Sequence, residues 1–214
     1  MKLRTAFLTL FALCLAAVPA LAQQEQIYSN GPINGTTDAW TINNGFVVSD
    51  SFFVGSLAIQ ENGLQFGAWV FPGDVIQSGE ISITSSEFGG TTYLDEVVNF
   101  TQSGCSGNQY GFNVCTETAN FTTALNLPYG TYWLNLSNTY ANLDDPVYWD
   151  ENSGPSLASQ NGTGTIPSES FTILGSNCSS TNCNPPASVP EPGNILLFAS
   201  GILGAASLLR RKLF

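Results

Sequence analysis

Apolar and polar residues alternate with a period of two through much of the chain between residues 23 and 175. Leu64, Phe66, Ala68 and Val70 fall on one face, with Trp69 and Phe71 on the other. Ile81 and Ile83, then Tyr110, Phe112 and Val114, then Tyr132, Leu134 and Leu136 repeat the pattern. Successive side chains of a strand point to opposite faces, so each such run predicts a half-buried β-strand. Strand-like runs separated by Gly, Asn, Ser and Pro fall at 39–42, 46–48, 51–54, 57–60, 64–71, 80–84, 91–101, 109–116, 122–127, 131–137, 147–149 and 170–174. In LPYGTYWLNL, Pro128-Tyr129-Gly130 reads as a turn. The strand after it sends Tyr132, Leu134 and Leu136 inward, while Trp133 and Asn135 face out or toward a second sheet. No long helical pattern occurs outside the termini. The expectation is an all-β fold, a single antiparallel β-sandwich of jelly-roll type over 23–175. SDSFFVG (49–55) faintly echoes SESFTILG (168–175), too short for a repeat but a hint that the first and last strands occupy similar places in the sheets.

Both ends break this pattern. Lys2 and Arg4 precede an apolar stretch at 7–18, and Ala20 and Ala22 flank Leu21 just before Gln23. That order predicts a secretory signal peptide over 1–22, export through the Sec machinery and a mature chain starting at Gln23. Cys14 is not read as a lipidated cysteine, because cleavage there would truncate the apolar stretch. At the other end, residues 176–188 are rich in Ser, Asn and Pro and read as an extended linker. Beyond it, 193–209 is uncharged and followed by Arg210, Arg211 and Lys212. As a helix this segment spans roughly 25 Å, just enough for a bilayer core. Basic residues beside a membrane helix stay in the cytoplasm, so the rest of the chain is expected outside it. The pairs Ser200/Gly204 and Gly201/Ala205 suit close approach of another helix, although short helices tolerate small residues anyway.

Pro190-Glu191-Pro192, a short apolar helix and a basic terminus, in that order over 189–214, resemble the PEP-CTERM sorting signal of exported bacterial proteins. The resemblance implies a membrane protease-transpeptidase, exosortase, as partner, with Pro190, Glu191 and Pro192 as its recognition element and Arg210, Arg211 and Lys212 completing the signal. It also implies a protein held at the inner membrane in transit, then placed at the cell surface or outside, in a species that makes extracellular polysaccharide. The alternative is a plain tail anchor whose prolines only start the helix.

Charge sharpens this picture. The net charge is −11, and the five basic residues all lie in the two terminal segments. Residues 23–189 therefore contain no Lys, Arg or His, yet hold fifteen of the sixteen carboxylates. Nucleic-acid binding is excluded for want of phosphate-neutralising groups. Ser-His-Asp catalysis, His-ligated zinc and internal salt bridges are excluded in the same way. Export leaves Cys105, Cys115, Cys178 and Cys183, an even number that predicts two disulfides. Of three connectivities, the local pairs Cys105–Cys115 and Cys178–Cys183 are favoured over a four-cysteine zinc site, whose usual CxxC spacing is missing.

The densest chemistry lies at 144–152, DDPVYWDEN. Aromatic faces beside carboxylate and amide groups suit a sugar ring, which makes Tyr148, Trp149, Asp150 and Asn152 candidate glycan contacts. The competing reading makes Trp149 a core or edge residue and the acids solvated loop groups. Asp144, Asp145, Asp150 and Glu151 are candidate calcium ligands, although the pattern is not an EF-hand loop; no other cofactor is expected. Asp95/Glu96 and Asp150/Glu151 are the carboxylate pairs a glycosidase would need, but neighbours on a strand point to opposite faces, so no enzyme is expected. The Asn-x-Ser/Thr triplets at Asn34, Asn99, Asn120, Asn135, Asn161 and Asn177 follow from composition. The sequence thus points to an exported cell-envelope or matrix protein that binds glycan or acts structurally in exopolysaccharide. A carbohydrate-active enzyme and a self-assembling sheath or filament subunit are the alternatives.

Overall fold

The computed structural model describes residues 24–55 and 59–177, which form an all-β fold of two antiparallel sheets. The strands are β1 (Glu25–Ser29), β2 (Ala39–Thr41), β3 (Val47–Val54), β4 (Ile59–Val70), β5 (Ile76–Ser86), β6 (Gly89–Asn99), β7 (Thr101–Gly107), β8 (Asn113–Leu125), β9 (Gly130–Ala141), β10 (Tyr148–Asn152), β11 (Ala158–Gln160), β12 (Gly164–Ile166), β13 (Ser168–Glu169) and β14 (Phe171–Asn177). One sheet is built on β4, which pairs with β14, β10 and β8; β1, β2, β7 and β13 extend it. The other runs β12-β11-β3-β9-β5-β6. The signal peptide, the linker beyond Asn177, the sorting signal with its membrane helix, and Cys178 and Cys183 lie outside the described residues.

Alternation builds the core as expected. Leu64, Phe66, Ala68 and Val70 of β4 are buried, and so are Ile81, Ile83, Tyr132, Leu134 and Leu136 of the other sheet. Each large aliphatic or aromatic side chain buried this way contributes about 1.5–3 kcal/mol. Phe52 of β3 meets Phe171 of β14 across the core at a centroid distance of 6.3 Å.

Several predicted runs fuse. The runs 46–48 and 51–54 join into β3 because Ser49 and Asp50, the polar residues between them, continue the ladder with β9. Residues 59–60 of the run 57–60 join 64–70 in β4, and residues 57–58 lie outside the described residues. Conversely, 91–101 divides at Phe100 into β6 and β7, which belong to different sheets. The chain changes sheet there, and the Phe100 ring packs edge-on against Phe66 at 5.3 Å. Tyr110, expected within a strand, lies instead in the turn between β7 and β8. The Asn108 side-chain oxygen accepts the N–H groups of Tyr110 and Phe112 and shapes that turn. Strands β1, β11, β12 and β13 are too short or too polar to stand out in the sequence.

Cys105 and Cys115 are disulfide-bonded, joining β7 to β8 across a sequence separation of 10. Closing a loop of this size removes conformational freedom from the unfolded chain. Replacing both cysteines by serine is expected to cost about 2–3 kcal/mol, read as a lower urea midpoint with an unchanged slope.

Candidate functional site

The outward face of the β4 sheet carries a row of aromatic rings. Alternation places Trp69 and Phe71 on that face, and the β7–β8 turn folds Tyr110 and Phe112 back onto it. Tyr110 stacks on Trp69 with centroids 5.5 Å apart and ring planes 20° apart. Phe112 touches Trp69 at 5.8 Å, Phe71 at 4.8 Å and Tyr148 at 5.5 Å. Trp69 is buried beneath its neighbours, whereas Tyr110 is 52% exposed. The Tyr110 hydroxyl donates to the backbone oxygen of Thr36 at 3.3 Å, tying the aromatic row to the loop 30–38.

Between that loop and the β7–β8 hairpin runs a groove of about 670 Å³. Asn34, Thr36, Ser106, Asn108, Gln109 and Thr116 supply its polar lining, and no lining residue is charged. Glycine lets the loop lie this close to the sheet. Gly35 has a left-handed backbone (φ +63°), and a Cβ there would meet Val114 at 2.6 Å. On β4, a Cβ at Gly67 would meet Ile33 at 2.8 Å.

Asp150 anchors this construction. It is fully buried, and its carboxylate accepts the Asn34 N–H at 2.8 Å, the Gly35 N–H at 2.9 Å and the Trp69 indole N–H at 2.6 Å. Asn152 holds the same loop by donating to the Asn30 carbonyl at 2.8 Å. These two residues were expected to touch a sugar; both are buried and occupied by the protein's own backbone.

Trp149 is displaced further from that expectation. It is 0% exposed, points into the core and donates its indole N–H to the Ser170 carbonyl at 2.8 Å. Its neighbours on the strand face outward while it packs between Phe66 and Phe171, so no sugar can reach its face. Of the four residues, Tyr148 alone stands in the aromatic row.

The acids read as a calcium set do not converge. Among the described residues no three Asp, Glu or Cys side chains come together as metal ligands. Glu151 points to the opposite face from Asp150 and accepts the Trp40 indole N–H at 2.9 Å. Asp144 and Asp145 occupy the turn before β10, where Asp145 lies beside Asp74 and helps burial to raise the Asp74 carboxyl above the ordinary range. Asp95 and Glu96 stand on β6 in the other sheet, where Glu96 is engaged by the backbone N–H and the hydroxyl of Thr122.

The chain matches no protein-family model and no curated protein. The chemistry of the groove is therefore read from its own groups: uncharged amides and hydroxyls that both donate and accept, beside an exposed aromatic face. Sequence reasoning noted Trp69, Phe71, Tyr110 and Phe112 only as members of alternating runs. The available signal was that Trp69 and Phe71 occupy the face opposite the core residues of the same strand.

Proposed function

We propose that this chain is an exported cell-envelope or matrix protein whose jelly-roll-type sandwich binds a neutral polysaccharide in the groove beside Tyr110. The observation carrying this reading is the pairing of an uncharged hydrogen-bonding groove with a half-exposed tyrosine stacked on Trp69. Sugar rings offer hydroxyls to the first and C–H faces to the second. A body without a single cation disfavours uronate or sulfated chains, which it would repel. The amino-terminal segment and the Pro190-Glu191-Pro192 tail support Sec export, insertion in the inner membrane and handling by exosortase, with the domain finally at the cell surface or outside.

Binding to neutral and acidic glycans by the mature protein and by Tyr110→Ala tests the reading. Retention by neutral chains is expected, weakened roughly tenfold by the substitution, which corresponds to about 1.4 kcal/mol of lost contact. Binding unaffected by Tyr110→Ala, or confined to acidic chains, would remove the groove from consideration. A second reading, self-assembly, is favoured by β6, an eleven-residue edge strand on which Val97 is 70% exposed. Ordered polymers in micrographs of the purified protein would move the weight to it.

A further inference from the structure

Where β13 meets β3, acidic side chains face one another inside the sandwich. Glu151 and Glu169 are directly opposed partners on adjacent strands. Asp50 of β3 accepts the Glu169 backbone N–H at 2.8 Å. Asp150 on β10 and Asp38 ahead of β2 also act electrostatically on Glu169. Asp50 and Glu169 are 0% exposed, and neither carboxylate oxygen of Glu169 has a hydrogen-bond partner. From β1, Tyr28 faces the group as a neutral phenol, pushed up to about 12 by its burial and by Asp50. No Lys, Arg or His exists between residues 23 and 189 to offset these charges, and no three of the acids converge as metal ligands among the described residues. The remaining neutralising species is the proton.

The same cluster grips the loop that walls the groove. The Asn30 side-chain nitrogen lies 2.9 Å from Asp50 Oδ2, 2.9 Å from Ser168 Oγ, 2.9 Å from the Glu169 carbonyl and 2.7 Å from Ser156 Oγ. Its two hydrogens serve four neighbouring oxygens, so the amide is held from every side. Four residues on, the Asn34 side chain donates to the Glu151 carbonyl at 3.0 Å, and the Glu151 N–H donates to the Asp38 carbonyl at 3.0 Å.

We propose that the Asn30–Asp50–Glu169 cluster is a proton-operated clasp on the 30–38 loop, closed when the carboxyls are protonated and released when they ionise, so that acidity sets the shape of the groove. Ionised Asp50 and Glu169 would place like charges beside Glu151 and Asp150 in a site that water does not reach, and opening the loop relieves both costs. Burial lifts Asp50 from 3.8 to about 6, despite hydrogen bonds that favour its anion, and burial with its acidic neighbours lifts Glu169 well above 4.5. Both shifts are upward, so the clasp's contribution is complete below the unfolded values and is lost as pH rises through the folded ones. Only the consequence for ligand rests on the glycan-binding reading; the clasp itself does not.

Amide hydrogen exchange on the full mature protein, expressed as protection factors, tests it. Asn30, Asn34, Gly35 and Glu169 are expected to lose protection roughly tenfold or more per pH unit between about pH 4 and 6, the interval in which Asp50 keeps its proton only while the loop is closed, while β9 remains the better protected element. In Glu169→Gln the loop amides should keep only the weaker dependence that Asp50 supplies, while β9 keeps its own. Should that variant fail to fold, Asp50→Asn makes the same comparison. Constant loop protection across the range, an unaltered dependence in the variant, or restoration of protection by calcium at alkaline pH would each overturn the proposal. A clasp that opens in a protein that retains no glycan would sink the binding reading and leave the clasp standing.

Discussion

Urea unfolding is expected to find this protein several kcal/mol more stable near pH 5 than near pH 9, the reverse of acid-sensitive proteins whose carboxylates are paired with cations. One large contribution comes from Glu117 of β8. Its partner in the ladder is Phe66, so its side chain shares the inward face of the sheet, and it is 0% exposed. Neither of its carboxylate oxygens finds a hydrogen-bond partner, and burial raises the group from 4.5 to about 8. The folded state therefore binds a proton that the unfolded chain has released throughout that interval. A raised value contributes stability that is whole below about pH 4.5 and disappears as pH climbs through about 8, amounting to roughly 4–5 kcal/mol. Asp50, Glu61 and Glu169 are shifted upward by burial as well and act in the same direction. Glu117→Gln should unfold like the parent near pH 5 and resist urea better near pH 9, by up to a few kcal/mol. A parent profile that is flat, or that peaks on the alkaline side, would show that Glu117 is not buried as a neutral acid.

Trp149→Ala is the second large effect, and it bears on stability before any ligand. The indole packs against Phe66 at 6.0 Å and Phe171 at 5.7 Å, and its N–H occupies the Ser170 carbonyl. Truncating a fully buried tryptophan removes that contact area, leaves a cavity and takes one of two hydrogen bonds from the Ser170 carbonyl, which keeps the Gly67 N–H at 3.2 Å, for a cost of about 3–5 kcal/mol. Tyr110→Ala, half exposed in a turn, should cost less, about 1–2 kcal/mol for the lost stack on Trp69 and the hydroxyl bond to Thr36. Equilibrium unfolding of the two variants side by side decides between a core and a surface role for Trp149. Native-like stability of Trp149→Ala together with loss of glycan retention would restore the contact role read from its sequence neighbours.

That contrast shows where residue patterns stop being informative. Trp149 lies among Asp150, Glu151 and Asn152, and aromatic, carboxylate and amide groups in a row suit a sugar. On a strand, however, neighbours alternate between faces, so a dense linear cluster is divided by the fold. Asp150 went to the outer face beneath the 30–38 loop and Trp149 into the core. The reverse holds for Tyr110 and Trp69. They are far apart in sequence and become a stacked pair because the β7–β8 turn returns Tyr110 over the outward face of β4.

Strand character, the inward set beginning with Leu64 and Phe66, and the local pairing of Cys105 with Cys115 were all present in the sequence, as was a domain without cations between residues 23 and 189. Alternation, short spacing and composition are local properties, and they persist whatever the strands pack against. Only the tertiary structure decided which sheet faces which, and so brought Asp50 of one sheet to the Glu169 backbone beside the other and closed the 30–38 loop over Asp150. The faint echo between residues 49–55 and 168–175 did not mark similar places: the first lies in β3 of one sheet and the second in β13 and β14 of the other, because strand order is set by long-range pairing.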